Sequence, residues 1–299
     1  MPNHTPHRAL QRSAHHATQR TSSDTAFATR VARAGLDCRG PAQQAAGVAL
    51  LVVAALVATT AYAAGDEPTT TPYRPSVSTP AALSAPGWLE IEAGFEHDHA
   101  GAARRDSVPA TFKLAFSPDW GVRVGGEAWV RQRDEAGRSS GVGDTSVVLK
   151  RRFAIDDKQA FGLEGGVTFA TARQGLGNGS GKTDVGLNAI YSADFGDAWH
   201  TDLNLATTRL GQADAGASRS QWLWAASLSR ALDERWGVVG EFAGTNQRGA
   251  GGTSQFLVAA SCNVSKRLTL DAGAARSLRS GPATWSAFTG FTWLAAPLF

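Results

Sequence analysis

The chain has 299 residues, enough for one large domain or two small ones. Only 18% of them are charged, and glycine supplies 33. Residues 1–63 hold six of the 29 Lys and Arg but two of the 26 Asp and Glu. The remainder therefore carries 23 basic and 24 acidic side chains, and the formal charge of +3 gives no electrostatic case for nucleic-acid binding.

Residues 1–44 are polar and lack periodicity. Arg30, Arg33 and Arg39 then precede a 14-residue apolar run, Ala45 to Ala58, and Ala61-Tyr62-Ala63 follows. Positive residues, a short apolar run and a small-x-small site read as a secretory signal peptide over 1–63. The run is too short for a convincing membrane-spanning helix. Residues 64–87 are rich in Pro, Thr, Ser and Ala. They are expected to be a flexible periplasmic linker, because prolines interrupt every candidate strand.

From Trp88 to Phe299 the chain reads as strand and turn. In 160–171, Phe161, Leu163, Val167 and Phe169 share one parity, and Glu164 and Thr168 share the other. In 182–194, Val185, Leu187, Ala189 and Tyr191 alternate with Asp184, Asn188 and Ser192. Successive strand side chains point to opposite faces, so each strand has one apolar and one polar face. Twelve such strands are predicted, near 88–97, 107–117, 121–133, 143–154, 160–171, 182–194, 199–209, 219–231, 236–247, 253–264, 268–278 and 284–294. Short connections (SPDW, IDDKQ, FGDA, LDERW, VSKR) alternate with long ones (DEAGRSSGV, ARQGLGNGSG, GQADAGASR). That layout predicts an all-β, transmembrane antiparallel barrel of about twelve strands in the outer membrane of a Gram-negative bacterium. An even strand count puts both barrel ends on the periplasmic side.

The aromatic residues agree. Trp88, Trp120, Phe161, Trp199, Trp236 and Trp293 fall at the short-turn ends, and Trp222 and Trp285 at the opposite ends. Two belts at the two headgroup levels are what a spanning barrel needs. The terminal Phe299 closes an alternating strand through Trp293 and Phe291, a pattern resembling the signal read by the barrel-assembly machinery. That machinery, outer-membrane lipid and lipopolysaccharide are the expected partners, with a small-molecule solute and no nucleic acid.

The inward parity is polar. Glu90, Glu92, Lys113, Arg123, Glu127, Arg131, Lys150, Arg152, Glu164, Asp184, Asn188, Asp202, Asn204, Glu241 and Asp271 are the expected lumen-lining residues. Arg123, Arg131, Lys150 and Arg152 would make one wall basic, and Glu90 and Glu92 another acidic. Such charges either hydrate a pore or pair across the lumen and close it. Twelve strands lie between filled and open barrels, so both readings stand. Val148, Ile190, Val239 and Leu257 also fall inward. They form an apolar patch, or mark a register slip or bulge.

No catalytic, metal or cofactor site is expected. His97-Asp98-His99 ends a predicted strand and reads as solvated loop rather than a metal site. His200-Thr201-Asp202 lacks the His, Ser and Asn spacing of a barrel phospholipase. Gly181-Lys182-Thr183 ends like a phosphate loop, but Leu176 stands where that motif needs glycine, and a strand follows instead of a helix. Cys38 falls in the leader, so Cys262 would be unable to form an internal disulfide.

Gly143-Asp144 opens one strand, and a Gly-rich run from Gly175 to Gly181 leads into Thr183-Asp184 at the start of another. With the flanking GVGDTSVVLKRRF and EGGVTFATARQGLGNGSGKTDVGLNAIYSADFG, this resembles the outer-membrane family labelled "putative MetA-pathway of phenol degradation". The resemblance covers about the central third of the barrel. It implies a channel-like protein tied loosely to uptake of aromatic compounds, and supplies no catalytic residues. The expected function is passive passage of a small solute, aromatic or hydrophobic. The alternative is a closed barrel that presents extracellular loops to a partner.

Overall fold

The computed structural model describes residues 67–135, 137–173, 178–278 and 284–299. The predicted signal peptide lies outside the described residues. Among the described residues, thirteen strands form one antiparallel sheet: β1 (Trp88–Ala100), β2 (Ala103–Ala115), β3 (Trp120–Asp134), β4 (Gly137–Gly141), β5 (Thr145–Ala154), β6 (Gln159–Phe169), β7 (Asp184–Phe195), β8 (Trp199–Arg209), β9 (Ser220–Ala231), β10 (Trp236–Gln247), β11 (Gly251–Ser265), β12 (Leu268–Ser277) and β13 (Thr284–Pro297). β13 pairs with β1, and the β2–β3 pairing completes the ring. β4 and β5 both pair with β3, at its two ends, and occupy one place in the wall. The barrel is therefore twelve-stranded and closed, and no helix occurs among the described residues.

Burial is inverted relative to a water-soluble protein. Along β6, Phe161, Leu163 and Phe169 are exposed while Glu164 and Thr168 are buried. Leu187 is 62% exposed and its neighbour Asn188 only 4%. The apolar parity faces outward toward lipid, and the polar parity faces the lumen. Trp199, Trp236 and Trp293 are exposed at the short-turn end, and Trp222 and Trp285 at the other.

Three stretches of the barrel wall depart from the sequence expectation. The 134–142 segment, predicted as a loop, is mostly the β3–β4 hairpin, which pairs Val130 with Gly141 through Asp134 with Gly137. His97-Asp98-His99 lies within β1 rather than a loop, and the His97 and His99 rings both lie tilted against Trp285, with ring centroids 5.4 and 5.5 Å away. The third departure is a bulge in β3. Val108 faces Trp129 and Pro109 faces Glu127, leaving Ala128 without a partner. Proline cannot donate to the ladder, so the pairing breaks beside it. One extra residue flips the parity beyond it. Val130, 0% exposed, takes the inner face, and Arg131 turns outward with its side chain 60% exposed. The expectation that Arg131 lines the lumen is thus corrected.

Residues 67–87 give the largest correction. They are not a linker outside the barrel. They enter beside the β11–β12 turn, where Thr70 N–H donates to Lys266 O and Glu67 pairs with Arg267. They leave beside β2, where Gly87 N–H donates to Ala115 O. Between these points they run around the inner wall. Proline breaks strand pairing, but it does not prevent a chain from docking through side chains.

Candidate functional site: the lumen and the segment within it

The inner wall holds residues 67–87 mainly by side chains. On β1, Glu90 accepts from Thr71 N–H at 2.8 Å and Glu92 from Tyr73 N–H at 2.6 Å. On β10, Glu241 accepts from Val77 N–H, Ser78 N–H and Ser78 Oγ at 2.8, 2.8 and 2.6 Å. On β8, Asn204 accepts from Thr79 N–H and donates to Thr79 O. On β7, Ser192 Oγ accepts from Ala81 N–H and donates to Asp202 at 2.5 Å. On β5, Lys150 donates to Pro80 O and to the Tyr73 hydroxyl. A segment rich in proline has few internal backbone partners, so its amides and carbonyls must be satisfied by the wall.

Tyr73 is the centre of this arrangement. Lys113 Nζ lies 3.9 Å and Lys150 Nζ 4.2 Å from its ring centroid, with the Arg123 guanidinium at 6.0 Å. Cations are drawn to the ring face, most strongly where water is excluded. The carboxylates that balance them sit beside them. Lys113 pairs with Glu90 and Glu92 at 2.5 and 2.6 Å, and Glu164 pairs with Arg123 at 3.3 Å and Lys150 at 3.4 Å.

Arg74 is held next to it. Its guanidinium donates twice to Asp271 at 3.2 Å. It rests against Gly94 and Gly290, which face each other across β1 and β13. A Cβ on Gly94 would come within 2.7 Å of it, and one on Gly290 within 2.6 Å. The two glycines make the recess that the guanidinium fills.

The charge pairs bear on the two readings of the wall. Lys113 stands opposite Glu90 in the β1–β2 register, and Lys150 opposite Glu164 in the β5–β6 register. These pairs run along the wall rather than across the lumen. Tyr73 rests against this charged side of the wall. The expected opposition of a basic and an acidic wall is replaced by local neutralisation.

The remaining expected residues are placed as follows. Glu127 is buried and accepts from Arg105 Nη2 at 2.6 and 2.5 Å. Asn188 is buried and donates to Glu164 and Asn204. Asp202 is buried, with His200 Nε2 3.0 Å away. Asp184 is buried at the long-loop end and accepts from Gly211 N–H at 2.8 Å. Arg152 is half-buried toward the short-turn end of β5. Val148, Ile190, Val239 and Leu257 do not form one patch. Val148 packs with Ala206, Leu223, Ala225, Ala243 and Val77. Leu257 packs with Ala259, Ala275, Phe288 and Val239, and Ile190 with Ala81 and Ala160. The lumen thus offers apolar walls as well as charged ones.

The Gly143-Asp144 pair also has a structural role. Asp144 accepts from Ala172 N–H at 3.1 Å and from Ser180 N–H and Oγ at 2.7 and 2.8 Å. It clasps both ends of the loop between β6 and β7. A Cβ on Gly143 would lie 2.8 Å from the Glu127 side chain, so only glycine fits there.

Sequence reasoning missed Tyr73, Arg74, Ser78 and Thr79 as lumen residues. A signal was present: Tyr73 is the only aromatic residue and Arg74 the only base between 64 and 87.

No curated protein matches the sequence. Among solved structures, an outer membrane channel from Pseudomonas putida F1 is similar, with a TM-score of 0.56 at 14% identity over 71% of this chain and 97% of that one. The NanC porin is similar with a TM-score of 0.50 at 10% identity, over 69% and 98%. Both likenesses concern the fold. Residues 118–295 match the family described as "Putative MetA-pathway of phenol degradation". With a closed twelve-stranded barrel whose apolar parity faces lipid, the chain belongs to that family and is an outer-membrane protein.

Proposed function

We propose that the protein is an outer-membrane channel for passive passage of a small solute, aromatic or hydrophobic, and that it has no enzymatic role. The observation that carries this reading is the way residues 67–87 are held. They line the lumen through side-chain contacts and, among the described residues, are tied to the wall by backbone bonds only near Thr70 and Gly87. A permanently closed barrel has no need of a separable filling. The apolar groups around Val148 and Leu257 supply surface for a hydrophobic solute beside the charged wall. The family description, which concerns phenol degradation, and the likeness to an outer membrane channel support the same reading. The expected partners are the barrel-assembly machinery and outer-leaflet lipopolysaccharide.

Single-channel recording tests the proposal. The full chain is expected to show small or brief openings, and a chain lacking residues 67–84 a larger, steady conductance. If the shortened chain folds, by heat-modifiable gel migration, and still does not conduct, the barrel is a closed scaffold and the loop-presenting alternative replaces this reading.

A further inference from the structure

The outer surface carries a charged feature that solute passage does not use. At the long-loop ends of β12, β13, β1, β2, β3 and β4, six outward side chains lie in one cross-strand row. The register pairs Arg276 with Trp285, Trp285 with His99, His99 with Arg104, Arg104 with Arg133, and Arg133 with Arg138. Adjacent strands are about 4.8 Å apart, so the row is a continuous stripe roughly 24 Å long.

All four arginines are exposed. Among the described residues, none of the four has an ion-pair partner, whereas Arg131, just below, is neutralised by Asp106 at 2.7 Å. The nearby carboxylates at the β3–β4 tip are Asp134, which accepts from Gly137 N–H, and Glu135, which lies in the turn. The stripe is densest in this sector: at the same end of β8 to β10 the register aligns Thr207 with Trp222 and Asn246, and Arg209 with Ser220, with the exposed Arg248 just beyond β10.

Three facts point to an anionic lipid headgroup. The stripe faces outward, not into the lumen. Trp285 is part of it, and tryptophan marks the headgroup level. Unpaired arginines with planar forks match phosphate oxygens two at a time.

We infer that Arg104, Arg133 and Arg138, with Arg276 and His99 beside them, form a binding site for the phosphate groups of an outer-leaflet glycolipid. Trp285 packs against the lipid where its acyl chains begin. The contact places an ordered lipid against β1–β4.

Native mass spectrometry of the full chain, refolded in detergent with bisphosphorylated lipid A, tests this. Wild type is expected to retain the lipid. The variant Arg104→Ala/Arg133→Ala/Arg138→Ala is expected to bind at least roughly tenfold more weakly. Arg209→Ala, on the other side of the barrel, should bind as wild type does. Phosphate-free lipid A should bind wild type as weakly as the bisphosphorylated form binds the triple variant. Undiminished binding by the triple variant, or equal binding of the phosphate-free lipid, overturns the site. Equal retention of phosphatidylglycerol also overturns it, in favour of general attraction for anionic lipid. The three side chains are exposed, so folding should be unaffected. If the triple variant does not fold, Arg133→Ala alone must still weaken binding several-fold.

Discussion

Glu241→Ala is the sharpest test of how residues 67–87 are held. One carboxylate, 1% exposed, accepts three hydrogen bonds, from Val77 N–H, Ser78 N–H and Ser78 Oγ. Each hydrogen bond to a charged group contributes about 1.5–3 kcal/mol. Part is recovered, because water can enter beside the shorter side chain. A net loss of about 3 kcal/mol is therefore expected, and each 1.4 kcal/mol is tenfold, so local opening should rise by roughly a hundredfold. Hydrogen–deuterium exchange on the full chain reads this directly. The Val77 and Ser78 amides lose their acceptor and should exchange roughly a hundredfold faster. Ala81 N–H, held by Ser192 Oγ, should follow if the segment opens as a unit. Strand amides in β9 to β11 should keep their protection, since the ladder does not use the Glu241 side chain. Unchanged exchange at Val77 and Ser78 would refute the idea that side chains hold the segment. Equal loss of protection in the strands would show that the segment and the wall form one cooperative unit.

Other outcomes follow from the same geometry. Leu187→Arg should destabilise the folded barrel by about 2–4 kcal/mol, measured by unfolding in urea with lipid present, because this outward side chain faces hydrocarbon. A neutral effect would mean that Leu187 lies outside the lipid-facing band. Asp144→Ala should free both ends of the β6–β7 loop and speed its proteolysis, while leaving heat-modifiable migration unchanged. Tyr73→Ala removes the ring between Lys113 and Lys150 and should increase conductance in a planar bilayer. A tag inserted at 213–216 should be labelled on intact cells, and one at 156–157 should not; the reverse result would invert the barrel.

The sequence by itself determined the barrel. Alternation in β6 to β8, tryptophans at strand ends and the rhythm of short and long connections are local signals, because strand periodicity and turn chemistry depend on near neighbours. The Gly143-Asp144 pair was likewise legible as a motif, though its task of clasping Ala172 and Ser180 was not. Tertiary structure alone decided two things. Arg131 faces outward because a bulge at Ala128, opposite Pro109, shifts the parity by one, and a one-residue insertion leaves no mark on composition. Residues 67–87 sit in the lumen because closing the ring brings Glu90, Glu92, Lys150, Ser192, Asn204, Glu241 and Asp271 to face one enclosed space. These seven side chains come from six strands spread over most of the chain, so no local pattern could show that together they satisfy a segment with no strand of its own.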